Sequence, residues 1–337
     1  MLRVKTMLIN KKQSYGFSLV ELMVAMVVGL IIVSGAFSLH TGTRKTQAVN
    51  EMQMDMVADA RFAIDMIAYD LRHAGMWGGT NKDGLISCTS ENRCTAKTSA
   101  GEALPVDIAG DCVAGWYYDL SQPVFATDNS AGNPYPVTCI PGSEAYLAGT
   151  DVLEIRYADS NITLQADLQP NRVYVRSNFI DGRVFVGATQ PVIDFYDSND
   201  LTLNHELHAY AYYISDYTDD INDGIPSLRR AALVDASTLE NQTLISGVSD
   251  LQVQFGEDVD ADQLVDRYVD PDNVADWSAV YAAKIWLVMR SDKPQRGVNT
   301  AKKFRIAGAP EVTLGGPDDF RFFMVSSVIN LRNLKQL

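Results

Sequence analysis

The first 104 residues of this 337-residue chain contain no proline, the residue that most strongly breaks an α-helix. Between Ser18 and His73 the only interruptions are isolated glycines, which a helix tolerates: Gly29, Gly35 and Gly42. The lack of proline therefore predicts one continuous helix of about 80 Å over this region.

Catalytic motifs are absent as well. The sequence contains no phosphate-binding loop, dinucleotide fingerprint, nucleophile elbow or C-x-x-C pair. His205 and His208 are three residues apart, not four as on a zinc-protease helix, and on a strand they would point to opposite faces. We therefore expect an ordinary strand here, no catalytic residue, no metal site and no enzymatic activity.

One long apolar run, residues 16–39, contains a single charged side chain, Glu21. The 23 residues from Phe17 to Leu39 would span about 35 Å as a helix, enough to cross a bilayer core of about 30 Å. A carboxylate inside a membrane helix costs free energy and usually marks function. A second interpretation, compatible with the first, is a capping box in which Ser18 is the N-cap and Glu21 the third helical residue.

The segment before this run is basic and lacks acidic residues. It carries four positive side chains, which favour a cytoplasmic location for this end: Arg3, Lys5, Lys11 and Lys12. The triplet from Ser34 to Ala36 could serve as a secretory cleavage site, but the apolar run before it is too long and contains Glu21.

The hexapeptide Gly16-Phe17-Ser18-Leu19-Val20-Glu21 resembles the processing motif of type IV prepilins and of type II secretion pseudopilins. The resemblance implies cleavage between Gly16 and Phe17 by a membrane-embedded prepilin peptidase, and N-methylation of Phe17. It further implies that Glu21 of an incoming subunit pairs during assembly with the Phe17 ammonium of a neighbour. The apolar helix would be retained as a single membrane pass with the rest of the chain in the periplasm.

The net charge and the cysteines indicate what the rest of the chain can bind and in which compartment it lies. The net charge of −14 becomes −18 once the four positive residues of the leader are removed, which argues against binding nucleic acid. An oxidising periplasm favours disulfides among the four cysteines, Cys88, Cys94, Cys112 and Cys139. Three pairings exist; we favour Cys88 with Cys94 and Cys112 with Cys139, although the sequence does not fix connectivity.

Periodicity predicts an α+β fold. After the membrane segment 17–39, residues 40–75 continue the helix, with an apolar stripe from Val49 to Ala74, charges mainly off that stripe, and Gly75 as C-cap. Residues 76–150 form a loop-rich region whose aromatic residues are expected to be buried. Residues 151–337 contain strand-like runs separated by turns, one of them at residues 191–196, and these predict an antiparallel sheet against which the helix packs.

Two acidic clusters remain candidates for calcium, although solvated loops and turns are the preferred interpretation. Asp258, Asp260 and Asp262 match the start of a calcium loop, but the glycine and glutamate positions of such a loop are not matched. The second cluster comprises Asp216, Asp219, Asp220, Asn222 and Asp223. No other cofactor is expected.

Three C-terminal segments resemble the PilW group of minor pilins: DYTDDINDGIPSLRR, DWSAVYAAKIWLVMRS and the terminal NLRN. This resemblance implies a pilin-like fold and a priming or tip complex with other minor pilins, the major pilin and an inner-membrane assembly platform. A tip adhesin and roles in twitching motility, adhesion or DNA uptake in a Gram-negative bacterium are also implied. The alternatives are a type II pseudopilin, or a signal-anchored periplasmic binding protein or enzyme.

Overall fold

The computed structural model describes residue 16 and residues 18–87, 116–129, 132–134, 140, 144–188, 190–193, 201–235 and 238–334. The chain divides into two compact units, residues 1–54 and residues 55–337.

One α-helix, α1, runs without interruption from Leu19 to His73 and has 55 residues, about 82 Å at 1.5 Å per residue. The continuous helix that the lack of proline predicts is therefore confirmed. After the helix ends, Gly75 adopts a φ of 77°, in the left-handed region where a glycine pays no Cβ penalty. A Cβ at this position would also lie 2.8 Å from Leu334 Cδ2, so the close approach of the C-terminal segment adds a second reason for glycine.

Fourteen strands follow in the described part of the chain. They are β1 (Ile86–Ser87), β2 (Val124–Thr127), β3 (Val152–Thr163), β4 (Val173–Ser177), β5 (Gly182–Val186), β6 (Leu203–Ser215), β7 (Ser227–Asp235), β8 (Thr238–Ser246), β9 (Val248–Glu257), β10 (Arg267–Val269), β11 (Val280–Arg290), β12 (Lys302–Phe304), β13 (Val312–Leu314) and β14 (Phe322–Asn330). Short 3-10 turns occupy Asp83–Leu85, Trp116–Tyr118, Gln165–Asp167, Pro271–Asn273, Trp277–Ala279 and Arg332–Leu334.

The strands form three sheets. The largest has the order β1-β5-β4-β6-β3-β2, and its long strand β6 also pairs through its second half with β7, which in turn pairs with β8. The second sheet has the order β10-β9-β11-β14, and β12 and β13 form a separate hairpin. All described pairs are antiparallel except β1 with β5. The predicted α+β, pilin-like fold class is confirmed.

The core explains the sequence pattern. The second half of α1 buries Met56, Ala60, Ile64, Ile67 and Leu71, the stripe that helical spacing predicts. The aromatic residues of the loop-rich region are buried as expected: Trp77, Trp116, Tyr117 and Tyr118. They belong to a cluster with side chains from β3 to β7.

The structure differs from the sequence prediction at several strands. The short strands β1, β2, β10, β12 and β13, of two to four residues each, are not among the predicted runs. Strand β8 is not among the predicted strands, because its side chains are almost all exposed or half-buried and show no apolar alternation. The run from Pro191 to Tyr196, predicted as a strand, is irregular over its first three residues, and the rest lies outside the described residues.

Candidate functional site

The start of α1 carries the sequence motif. Gly16 is exposed, and no described atom lies within 4 Å of the position of a Cβ there. The helix begins at Leu19 with Glu21 in its first turn, and the Leu22 amide donates to the Ser18 carbonyl over 3.1 Å. Phe17, the other residue of the predicted cleavage site, lies outside the described residues.

The apolar part of α1 is exposed along its length. Its large side chains between Leu19 and Leu39 retain 49–75% of their accessible surface. By length and composition the segment can cross a membrane, and none of its most apolar window is buried within the protein. A core helix of a soluble protein would be buried, whereas this exposed apolar surface is suited to lipid or to the apolar faces of other helices.

Glu21 is the one carboxylate on this apolar surface, and it is exposed. None of the ion pairs found among the described residues includes Glu21. The carboxylate is thus available to a cation from outside the described part of the chain. A charge in a low-dielectric environment is stable only when it is paired or hydrogen-bonded.

A buried polar cluster, which we call the Asp70 cluster, holds the C-terminal end of α1 on the large sheet. Asp70 is 3% exposed, and its side chain accepts hydrogen bonds from the hydroxyls of Tyr157, at 2.7 Å, and Tyr212. An Arg230 guanidinium nitrogen lies 3.8 Å from the Asp70 carboxylate, and the same guanidinium lies over the Tyr210 ring at 4.0 Å. Three strands, β3, β6 and β7, thus contribute to the surroundings of one helical residue.

Electrostatics decide how this cluster is protonated. Burial raises the pKa of Asp70, while the two tyrosine hydroxyls, Arg230 and His208 act in the opposite direction. Burial and the nearby carboxylate raise the pKa of both Tyr157 and Tyr212, so both hydroxyls remain protonated donors. In the Asp70 cluster, two neutral tyrosine hydroxyls thus donate hydrogen bonds to one acidic side chain, and these bonds join the helix to the sheet.

Sequence reasoning missed this joint, because it placed the charges of the helix mainly off the apolar stripe. Asp70 is an exception that lies between the buried residues Ile67 and Leu71. The available signal was its spacing, since a carboxylate three residues after one core residue shares the buried face and must find partners there.

The C-terminal NLRN segment contributes a second joint. The Asn333 side-chain amide donates to the last carbonyls of the helix region, those of Arg72, His73 and Ala74, at 3.1–3.3 Å. These carbonyls have no partner within the helix, so the amide fulfils a C-capping role. In return, the Asn333 carbonyl accepts a hydrogen bond from Asn81 over 3.1 Å.

The acidic clusters behave as loop-forming groups. The Asp223 carboxylate accepts from the backbone amides of four residues, Thr218, Asp219, Asp220 and Ile225, which lowers its pKa and closes the turn. The carboxylate oxygens of Asp258, Asp260 and Asp262 lie within 4.8 Å of one another and could hold a cation. However, backbone amides already donate hydrogen bonds to all three carboxylates. The Asp262 amide nitrogen, for example, lies 3.2 Å from a carboxylate oxygen of Asp258 and 3.2 Å from one of Asp260.

The remaining candidates are placed as follows. Both histidines of the HELH run lie on β6, where the Nδ1 of His205 contacts the Asp159 carbonyl and the Nε2 of His208 lies 3.5 Å from the Asp159 carboxylate. Both histidines thus contact Asp159 of the neighbouring strand β3, as expected of an ordinary strand. The four cysteines, Cys88, Cys94, Cys112 and Cys139, lie outside the described residues.

Comparison with known families gives two matches. Residues 11–37 match the prokaryotic N-terminal methylation motif, and residues 211–333 match the type IV pilus-assembly protein W family. The first match contains Gly16, Phe17 and Glu21; the second runs from β6 to the capping Asn333. No curated protein and no solved structure matches the chain. Residues 11–37 are thus similar to a prepilin N-terminus and residues 211–333 to the PilW family, and together the two matches support the role of a minor pilin in type IV pilus assembly.

Proposed function

We propose that the chain enters the pilus through its N-terminal motif, by cleavage between Gly16 and Phe17, methylation of Phe17, and pairing of Glu21 with the Phe17 ammonium of a neighbouring subunit. The observation that carries this proposal is an exposed carboxylate without an ion-pair partner among the described residues, set in an apolar helix. In low dielectric such a charge gains more from a cation than it would in water.

The proposal also explains the order of events. Before cleavage, Phe17 has no free amine, so no ammonium is available at this depth of the membrane. After cleavage, each subunit presents one ammonium and one carboxylate four residues apart along the sequence. Both charges are neutralised most effectively when subunits assemble, which favours the fibre over the isolated anchor.

The most direct test replaces Glu21 with alanine and, in parallel, with glutamine, which keeps the size but removes the charge. Both variants should be cleaved and methylated normally, as judged by mass spectrometry of the N-terminus, yet be depleted at least tenfold from sheared pili. Recovery of either variant in pili at the wild-type level would refute the pairing. An uncut Met1 in the wild type would instead refute the processing and favour a simple signal anchor.

The wider role is that of a structural subunit without catalytic activity, anchored in the inner membrane of a Gram-negative bacterium with residues 40–337 in the periplasm. Its proposed partners are the prepilin peptidase, the assembly platform, other minor pilins, the major pilin and a tip adhesin. Within that set it would act in the priming or tip complex and support twitching motility, adhesion or DNA uptake. The family matches and the size of the exported part support this role.

The pseudopilin alternative shares the N-terminal motif but is not favoured, because the second match is to a pilus-assembly family. Crosslinking in cells and identification of the copurifying proteins distinguishes the two. Pilins among the crosslinked partners support the proposal, and type II secretion components contradict it.

A further inference from the structure

Strand β14 is an edge strand of the four-stranded sheet. Its nine residues, Phe322–Asn330, pair with β11 on one side, and no described strand pairs with it on the other. An unpaired edge presents a row of backbone donors and acceptors to any chain that can lie beside it.

The register identifies which backbone groups point outward. The amide of Leu331 donates to the Tyr281 carbonyl, and the amide of Ser291 donates to the Arg321 carbonyl, so odd-numbered residues of this segment bond to β11. In an antiparallel pair the intervening residues point their N–H and C=O groups the other way. The outward-pointing residues of β14 are therefore Phe322, Met324, Ser326, Val328 and Asn330, and the last three also have exposed side chains.

This edge lacks the features by which proteins usually block strand addition. Its sequence, FFMVSSVIN, contains no proline and no charged residue, and its register with β11 is continuous over nine pairs. The other described edges are short or irregular: β1, β2 and β10 have two to four residues, and β8 pairs with β7 through two register shifts and carries Glu240. Natural edges are protected by short length, charges, proline or bulges, so β14 is an exception that needs an explanation.

Charge indicates what kind of strand would fit. Arg321 precedes β14 and Arg332 follows it, and neither takes part in an ion pair among the described residues. The Arg321 guanidinium instead donates to the Gln295 amide oxygen over 2.8 Å, and Arg332 is exposed. On the neighbouring strand β11, Lys284 lies over the Tyr268 and Trp286 rings and Arg290 donates to the Gly224 carbonyl, so neither adds charge to this edge. Arg321 and Arg332 place one positive charge at each end of β14, with Asp318 and Asp319 three and two residues before Arg321, on a chain whose net charge is −14.

A second copy of this chain fits poorly. If two β14 strands paired antiparallel, Arg321 of one would approach Arg332 of the other at both ends, and in parallel pairing each arginine would face its own counterpart. Like charges in direct opposition across strands are destabilising. Carboxylates at the ends of the added strand would be attracted to the same positions.

We propose that the outer edge of β14 receives an extended, apolar strand with carboxylates near its ends, donated by a different protein of the pilus machinery. Main-chain hydrogen bonds to Met324, Ser326 and Val328 would supply the affinity, and Arg321 and Arg332 would select for an acidic partner. This interaction surface is separate from Glu21 and would operate whether or not Glu21 pairs as proposed above.

The test uses the full-length chain in cells that assemble pili. A photoreactive p-benzoylphenylalanine replaces Val328, and the crosslinked peptide is identified by mass spectrometry. We expect the crosslink to fall on an apolar segment flanked by Asp or Glu in another protein. Ser326→Pro should reduce its yield at least tenfold, because proline removes an outward N–H and leaves the bonds to β11 intact. Ser326→Thr keeps that N–H and serves as the matched control with unchanged yield.

Several outcomes would overturn the inference. They are the absence of a crosslink at position 328, a crosslink to a helical segment or to a second copy of β14, or an equal yield in the proline and threonine variants. If Ser326→Pro lowers the melting temperature of the protein, Ser326→Lys takes its place, since an exposed edge lysine disfavours strand addition without touching the ladder. Arg332→Glu should reduce the yield independently, by repelling the carboxylates of the added strand.

Discussion

Replacement of Asp70 by alanine tests whether the Asp70 cluster holds the end of α1 on the sheet. The substitution removes the acceptor of two buried hydroxyls, those of Tyr157 and Tyr212, and the carboxylate that lies 3.8 Å from Arg230. Both tyrosine rings are buried, so neither hydroxyl can turn to bulk water. The variant therefore leaves two hydroxyl donors without their acceptor and removes the carboxylate beside Arg230, whose guanidinium keeps its hydrogen bonds to Gln242.

The size of the effect follows from opposing contributions. A hydrogen bond to a charged group contributes about 1.5–3 kcal/mol, which gives about 3–6 kcal/mol for the two hydroxyls. Desolvation of the carboxylate offsets part of this, as the raised pKa of Asp70 indicates. We expect the free energy of unfolding to fall by about 3 kcal/mol, within the range for breaking a buried polar network. For the unit of residues 55–337, an unfolding entropy of about 2.1 cal/mol/K per residue makes this about 5 °C in Tm.

The assay is urea and thermal unfolding of the full-length protein in detergent, followed by tryptophan fluorescence. All four tryptophans lie beyond residue 55, so the signal reports the unit that contains the cluster. The matched control is Asp65→Ala on the same helix, which removes the same charge from an exposed position and should change stability by less than about 0.5 kcal/mol.

A mutant cycle separates the hydrogen bonds from other effects. Adding Tyr157→Phe and Tyr212→Phe to Asp70→Ala should recover a large part of the lost stability, because no buried hydroxyl is then left without a partner. The reasoning is refuted if Asp70→Ala and Asp65→Ala cost the same, or if the tyrosine substitutions add to the loss.

Three further predictions concern other parts of the chain. Asn333→Ala should lower the free energy of unfolding by about 1 kcal/mol and speed amide exchange in the last turn of α1, whereas the exposed Asn330→Ala should do neither. Burial raises the pKa of Asp151 from 3.8 to about 7, so the folded state binds this proton more tightly than the unfolded chain does. The Tm should therefore rise as the pH falls from 8 to 5.5. An equally steep dependence of Tm on pH in Asp151→Asn would contradict this. Calorimetry with added calcium should show no binding heat, because backbone amides already donate to the carboxylates of the Asp258 loop; heat that Asp260→Asn abolishes would show otherwise.

The sequence was sufficient for features that depend on residues near one another along the chain. The uninterrupted helix followed from the lack of proline, and its buried stripe from spacings of three and four residues. Most long strands followed from their alternation, whereas β8 did not, because it buries almost none of its side chains. The N-terminal motif is likewise a matter of adjacent residues, which is why Gly16, Phe17 and Glu21 can be recognised from their local pattern.

Tertiary structure decided the features whose partners lie far apart in sequence. Asp70 meets Tyr212 across 142 positions, and Asn333 meets Ala74 across 259, distances over which no local pattern carries information. Folding also decided which backbone N–H groups of β14 point outward, because their direction depends on which strand pairs with the other edge of β14. The amino-acid sequence alone thus determined that this protein has an apolar helix able to cross a membrane and carrying one carboxylate, since hydropathy is local. Only folding determined which polar groups fasten the C-terminal end of α1 to the sheets, because burial assigns them partners that the sequence does not place nearby.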